Sequence, residues 1–326
     1  MKPHQAVLLS LLLLAGCTGP MYNSGGTASS GGAAYSISVA GGIIYTAGQY
    51  FDGSNWIPCV WTGMGRAALP GVPGSANSLT VSGGTIYAAG SYVNSLGNLI
   101  PCSWTGTNLA SGPSATDSAN AYGVSRYNST TYAAGQYYNN VGWVGCYWTG
   151  TSATNLPGGS AVALSIFVDG SNVYTAGQYF NGTFWIARSW SGVGTTDLPG
   201  DGVHDAIATS VFETGSGANI YCSGYYSNGS IQIPCYWVNG TRTDLSGDGV
   251  HSAWATSIFV VGSTIYTAGY YWNGSIYVPC FWTGTARTDL PASLTIASVG
   301  AAAPGGKDPA SVPNGRALRV HPNAPL

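Results

Sequence analysis

Apolar and polar positions follow one another in short runs along this chain, and the same order of runs returns six times. The stretch "SIFVVGSTIYTAGYYWNGSIYVPCFWTG" shows one unit: an apolar run, a Gly turn, and a run of Ile, Tyr and Thr. An Asn-Gly pair follows, then a returning run ending in Cys-x-Trp. Runs of this length bounded by Gly and Asn predict β-strands joined in hairpins. Asn-Gly is the strongest short hairpin signal, and it predicts two-residue turns. Asp52-Gly53, Asn139-Asn140, Asn181-Gly182, Asn228-Gly229 and Asn273-Gly274 share that slot, whereas the second copy carries "NSLG". A short segment such as "ARTDLP" closes each unit, and no segment sustains a helical period.

Two landmarks keep one period. The Tyr of "YTAGQY" stands at Tyr45, Tyr87, Tyr132, Tyr174, Tyr221 and Tyr266, with spacings of 42, 45, 42, 47 and 45. The Trp that follows the Cys slot stands at Trp61, Trp104, Trp148, Trp190, Trp237 and Trp282. Four antiparallel strands in about 40–45 residues are the mark of a propeller blade. The second and third strands are apolar on both faces, as expected of a sheet sandwiched between two others. The expectation is therefore an all-β protein, a β-propeller of six four-stranded blades over residues 35–300. "SLTIASVG" at 293–300 reads as a further first strand, so an incomplete seven-bladed propeller is the alternative. Gly48 and its equivalents are expected to make room for a large aromatic of the neighbouring blade.

The segment "CYWVNGTRTDLSGDGVHSAWATSIFVVGSTIYTAGYY" resembles the bacterial extracellular repeats called HAF, through its W-x-x-G-x-x-T-D-L core. Its layout is similar to kelch-type repeats. The likeness spans about 35–295 and departs from HAF in the recurrent Cys and in "YTAGQY". It implies a fold and an envelope location, and no activity.

Both ends differ from the body. Lys2 followed by the apolar run Ala6 to Leu14 reads as an export signal, too short to span a bilayer as a mature helix. Leu14-Ala15-Gly16-Cys17 resembles a bacterial lipobox, so residues 1–17 are expected to be a lipoprotein signal peptide with Cys17 lipidated. Thr18 follows it, where lipoproteins kept at the inner membrane carry Asp, so the resemblance points to the outer membrane. Residues 18–34 read as a Gly/Ser tether and 301–326 as a disordered tail.

Composition narrows the function. Of 326 residues only 6% are charged, with a net charge of −2, which argues against a nucleic-acid partner. The expected contact with a membrane runs through the N-terminal lipid alone. Cys59, Cys102, Cys146, Cys235 and Cys280 share one slot but sit on successive blades, on the order of 10 Å apart, too far for one zinc ion. They read as small buried apolar residues. No cofactor is expected, and no Cys or Ser has an identifiable His partner.

Three constellations remain. Reflecting the fifth hairpin about Asn228-Gly229 sets Cys222 opposite Cys235, where an exported compartment permits a disulfide and the strain of a directly opposed pair works against it. Arg188 replaces the Cys of the fourth copy and Glu213 replaces an apolar residue of the fifth, so each is expected to compensate the other. "LPGDGVHDAIATS" and "LSGDGVHSAWATS" place Asp201, His204, Asp248 and His251 in two consecutive linking loops, beside Trp254. His and Asp there suit a polar ligand or a divalent metal at the pore mouth; turn formation by Asp-Gly is the plainer role. The function expected is an envelope lipoprotein whose propeller acts as a binding or scaffold module for a protein or a glycan. A polysaccharide hydrolase or lyase using the pore-mouth pocket is the alternative.

Overall fold

The computed structural model describes residues 32–40, 43–111, 118–215 and 219–290, and all of its regular structure is β. The lipobox with Cys17, most of the tether, the strand expected at 293–300 and the tail lie outside the described residues. The first sheet holds β1 (Gly32–Ala40), β2 (Ile43–Phe51), β3 (Trp56–Thr62) and β4 (Gly65–Ala68). The second holds β5 (Gly74–Ser82), β6 (Thr85–Val93), β7 (Leu99–Thr105) and β8 (Asn108–Ser111). A seven-stranded sheet follows, built of β9 (Ala119–Tyr127), β10 (Thr130–Tyr138), β11 (Trp143–Thr149), β12 (Ser152–Asp169), β13 (Asn172–Phe180), β14 (Trp185–Ser191) and β15 (Gly194–Leu198). Then come β16 (Ala206–Glu213), β17 (Ile220–Ser227), β18 (Gln232–Val238) and β19 (Thr241–Asp244). The last sheet is β20 (Ala253–Val261), β21 (Thr264–Trp272), β22 (Tyr277–Thr283) and β23 (Ala286–Asp289).

The fold is a β-propeller of antiparallel, four-stranded meanders. It departs from six separate sheets at one place. β12 runs unbroken for 18 residues, ending the third repeat and opening the fourth. It pairs with β11 through Ser152–Asn155 and Ser160, then with β13 from Ala161 onward. Only four residues separate Leu156 from Ala161, whereas seven, including Asp-Gly-Val-His, separate Leu198 from Ala206 and Leu245 from Ala253. Such a short link crosses between sheets without leaving strand conformation.

The hairpin tips correct the expected register. Ser227 pairs with Gln232, so four residues rather than two form the tip. The Asn228 side chain accepts hydrogen bonds from the Ser230 and Ile231 amides at 3.0 and 2.9 Å, an Asx turn that spends the Asn as its first residue. Gly229 takes the positive φ, 88°, at the second. Cys222 therefore faces Trp237 and Cys235 faces Gly224, and both are buried and outside any disulfide. The expected disulfide fails because an Asn-Gly pair inside a four-residue tip displaces every pairing by two. Burial raises the Cys59 and Cys280 thiols to about 12, and an adjacent arginine opposes this in each case.

Each Cys-slot residue faces a glycine: Gly48, Gly90, Gly135, Gly224 and Gly269 oppose Cys, and Gly177 opposes Arg188. The inner strand carries a bulge beside each of these glycines, as between Ala163 and Ser165. The bulge swings a backbone carbonyl onto the glycine, so a methyl on Gly177 would overlap the Val162 oxygen. The room expected for a neighbour's aromatic is thus taken first by the chain's own inner strand. In two repeats a ring of the same sheet, Trp148 or Trp282, also closes on the glycine.

Consecutive repeats are joined by two recurrent hydrogen bonds. The indole of Trp104, Trp190, Trp237 and Trp282 donates to the carbonyl of Pro70, Pro157, Pro199 and Ser246, at 2.9–3.0 Å. The acceptor is always the residue after the Leu that ends the preceding repeat. Nearer the axis, the hydroxyls of Ser36, Ser78 and Ser165 accept from the amides of Leu79, Val124 and Val211 in the next repeat. Trp104, Trp190, Trp237 and Trp282 are at most 1% exposed. Burying such a ring contributes several kcal/mol, and its N–H requires a partner in that setting.

Candidate functional site

The loops that carry Asp201, His204, Asp248 and His251 open on the same end of the propeller as the hairpin tips between second and third strands. Asp201 Oδ1 accepts from the amides of Val203 and His204 at 3.0 and 2.9 Å, and its Oδ2 lies 2.6 Å from His204 Nδ1. Asp248 repeats the arrangement with Val250 and His251, the ring contact being 2.7 Å. An Asx turn thus holds each histidine against its own aspartate. Each ring lies over the tip of its own repeat: a methyl on Gly229 would stand 2.9 Å from His204 Nε2, and one on Gly274 3.2 Å from His251 Nε2. The rings therefore sit over the tips, one strand outward from the strands lining the axis. Among the described residues, no three His, Cys, Asp or Glu side chains gather as a metal site.

Burial pulls the carboxyl pKa of Asp201 and Asp248 upward, but the ring and amide hydrogen bonds outweigh it and leave both at about 2. A carboxyl held below its unfolded value stabilises the fold above that value, and the contribution disappears as pH falls from about 4 to about 2. The pairs are partly exposed, so each is expected to contribute about 0.5 kcal/mol. Thermal melts between pH 5 and pH 2 should show this loss, and Asp201→Asn/Asp248→Asn should flatten that part of the profile. An unchanged profile would show that the pairs add nothing to the fold.

Trp254 lies apart from the histidines. It stacks on Tyr270 at 5.1 Å and meets Tyr277 and Tyr225 edge-on at 5.9 and 6.5 Å. The loops themselves brace the preceding repeat: Asp205 Oδ1 accepts from the Trp185 amide at 2.8 Å, and Ser252 Oγ from the Gln232 amide at 3.0 Å.

Arg188 is committed to Asp197 of its own repeat, with Nη2 at 2.6 Å, and stacks over Tyr179 with its guanidinium carbon 3.5 Å from the ring centre. This replaces the expected pairing with Glu213. β14 and β15 are adjacent, so Asp197 reaches Arg188 across one strand spacing. Glu213 is buried, 3% exposed, and adds to the burial that raises the Tyr174 hydroxyl. The Tyr–Arg–Asp grouping recurs as Tyr226, Arg242, Asp244 and as Tyr271, Arg287, Asp289. In each the Tyr hydroxyl donates to the Asp 18 residues later. That constant offset was present in the sequence, hidden because the arginine moves from the third strand in repeat four to the fourth strand thereafter.

The same end of the propeller carries aromatic pairs at the base of the tips. Phe51 meets Trp56 at 5.5 Å, Tyr138 meets Trp143 at 5.7 Å, Phe180 meets Trp185 at 5.5 Å, and Trp272 meets Tyr277 at 4.9 Å. All are at least partly exposed, Phe180 by 38%.

No protein-family model matches the chain, so the resemblance to HAF repeats finds no support there, and no curated protein matches either. Similar solved structures include a computationally designed protein, Ika8, at 12% identity, covering 80% of this chain and 86% of that one with a TM-score of 0.43. The Aleuria aurantia lectin in complex with alpha-methyl-L-fucoside is 12% identical, with 80% and 94% covered and a TM-score of 0.45. A thermostable family-43 glycoside hydrolase is 11% identical, with 85% and 96% covered and a TM-score of 0.38. Likenesses this distant carry no argument about ligand or activity. The class is set by the fold itself: an all-β propeller of repeated four-stranded meanders.

Proposed function

We propose that this protein is a glycan-binding module of the bacterial envelope, exported and held by lipid on Cys17 at the outer membrane. Its six repeats count as six blades, two of them fused through β12. The observation that carries the reading is the set of half-exposed aromatic pairs at one end, in four of the six repeats. A flat aromatic face beside polar loop groups suits the apolar face of a sugar ring, and loops on a rigid ring are the usual place for recognition. The Asp201–His204 and Asp248–His251 loops would border that surface and donate or accept hydrogen bonds.

The carboxylates favour binding over hydrolysis. Asp52 holds its own turn, Asp197, Asp244 and Asp289 hold Tyr and Arg, Asp201 and Asp248 hold His, and Asp205 caps a neighbouring tip. A glycosidase needs two carboxylates facing one substrate bond. A glycan array with the purified protein should return neutral oligosaccharide ligands. Trp56→Ala/Trp143→Ala/Trp185→Ala should weaken binding at least tenfold while circular dichroism stays unchanged. An array without ligands, or equal binding by the triple variant, would sink the reading.

A further inference from the structure

The interface between consecutive repeats uses the same parts each time, and the two ends of the series each present half of it. In repeats two to six the face turned to the preceding repeat is sealed: Ala76, Ala121, Ala163, Ala208 and Ala255 are at most 1% exposed. In repeat one the equivalent Ala34 is exposed, Trp61 is only half-buried, and Ile44 is 51% exposed. At the other end Tyr266 is 40% exposed, whereas its equivalents Tyr45, Tyr87 and Tyr174 are 8%, 8% and 2% and Tyr132 and Tyr221 are partly buried. Inner strands pack in succession, β1 on β5, β5 on β9, β9 on β12, β12 on β16 and β16 on β20. Among the described residues, β20 and β1 do not share the extensive packing that joins the other consecutive inner strands.

We propose that repeat six of one copy docks on repeat one of a second copy, head to tail, through the interface that already joins consecutive repeats. The hydrogen-bonding halves are complementary. Trp61 has the indole that in four later repeats donates to the residue after the preceding repeat's terminal Leu. Leu290 is followed by Pro291, as Leu69, Leu156 and Leu198 are followed by proline, so repeat six carries the sequence position whose carbonyl a following repeat's indole takes elsewhere. The apolar side chains match as well: Tyr45 and Ile86 share one core cluster across the interface of repeats one and two, and Tyr174 and Ile220 share another between four and five. Tyr266 and Ile44 are the same two positions at the free ends. An interface of this kind joins different surfaces of the two partners, and it forms a closed ring or an extending chain according to the rotation between copies.

The test uses full-length protein in detergent. One preparation carries Ile44→Cys, another Tyr266→Cys; the six native thiols of the described residues are buried, and the parent protein treated alike controls for Cys17. After treatment with a short bis-maleimide, the mixture should give a species of twice the chain mass, and neither preparation alone should. A third protein carrying both substitutions should give the same intermolecular product. A purely intramolecular cross-link in it would mean that repeat six closes on its own repeat one, and would overturn the proposal. Absence of any cross-link would overturn it too. By sedimentation velocity, Ile44→Asp, at an exposed position and so neutral to folding, should weaken self-association at least tenfold. An unchanged association constant would place any self-association elsewhere.

Discussion

Gly177→Ala is expected to lower stability by about 3 kcal/mol, the upper end of the range for overpacking, because the obstacle is backbone and not a side chain that turns away. The added methyl would overlap the Val162 carbonyl and press on the backbone of Ala163. Relief requires opening the inner-strand bulge, and with it the contact between repeats four and five. For a domain of this size the melting temperature should fall by roughly 6–10 °C. Gly142→Ala is the control: its methyl would meet only the Ser160 hydroxyl, at 3.6 Å. That substitution should be neutral or slightly stabilising through the unfolded chain. Equal melting temperatures for the two variants would show that the bulge yields and does not hold the glycine.

Trp237→Ala should cost about 3–5 kcal/mol, since it empties a fully buried ring volume and removes the shorter of the two hydrogen bonds to the Pro199 carbonyl. Trp237→Phe separates the two effects. It keeps most of the apolar volume and removes the N–H, so its cost should approach about 1–3 kcal/mol. Denaturant melts of both variants read this directly. Arg242 also donates to the Pro199 and Gly200 carbonyls, so the Phe variant measures the indole donor with that guanidinium still in place. If the Phe variant were as stable as the parent, the link between repeats would be apolar packing alone.

The sequence by itself determined the strand order, the six-fold repetition and the burial of the Cys slot. Those features depend on local alternation and on period, which any segment displays without reference to its neighbours. It mis-set the hairpin register because Asn-Gly serves both two- and four-residue tips. Whether Asn228 begins the turn or sits inside it depends on the Asx hydrogen bonds to Ser230 and Ile231. That shift of two carried Cys222 away from Cys235. Arg188 was readable as a charge in an apolar slot, but its partner was not. Asp197 stands across one strand spacing and Glu213 in the next repeat, and only the packed sheet decides which is nearer. The two Asp-Gly-Val-His loops were legible as equivalent loops on one end, and tertiary structure alone turned each ring onto its own hairpin tip. The fusion through β12 and the unpacked ends were likewise beyond reach of the pattern. Both depend on how one sheet meets the next, and a repeat looks the same in sequence whether or not its neighbour's face covers it.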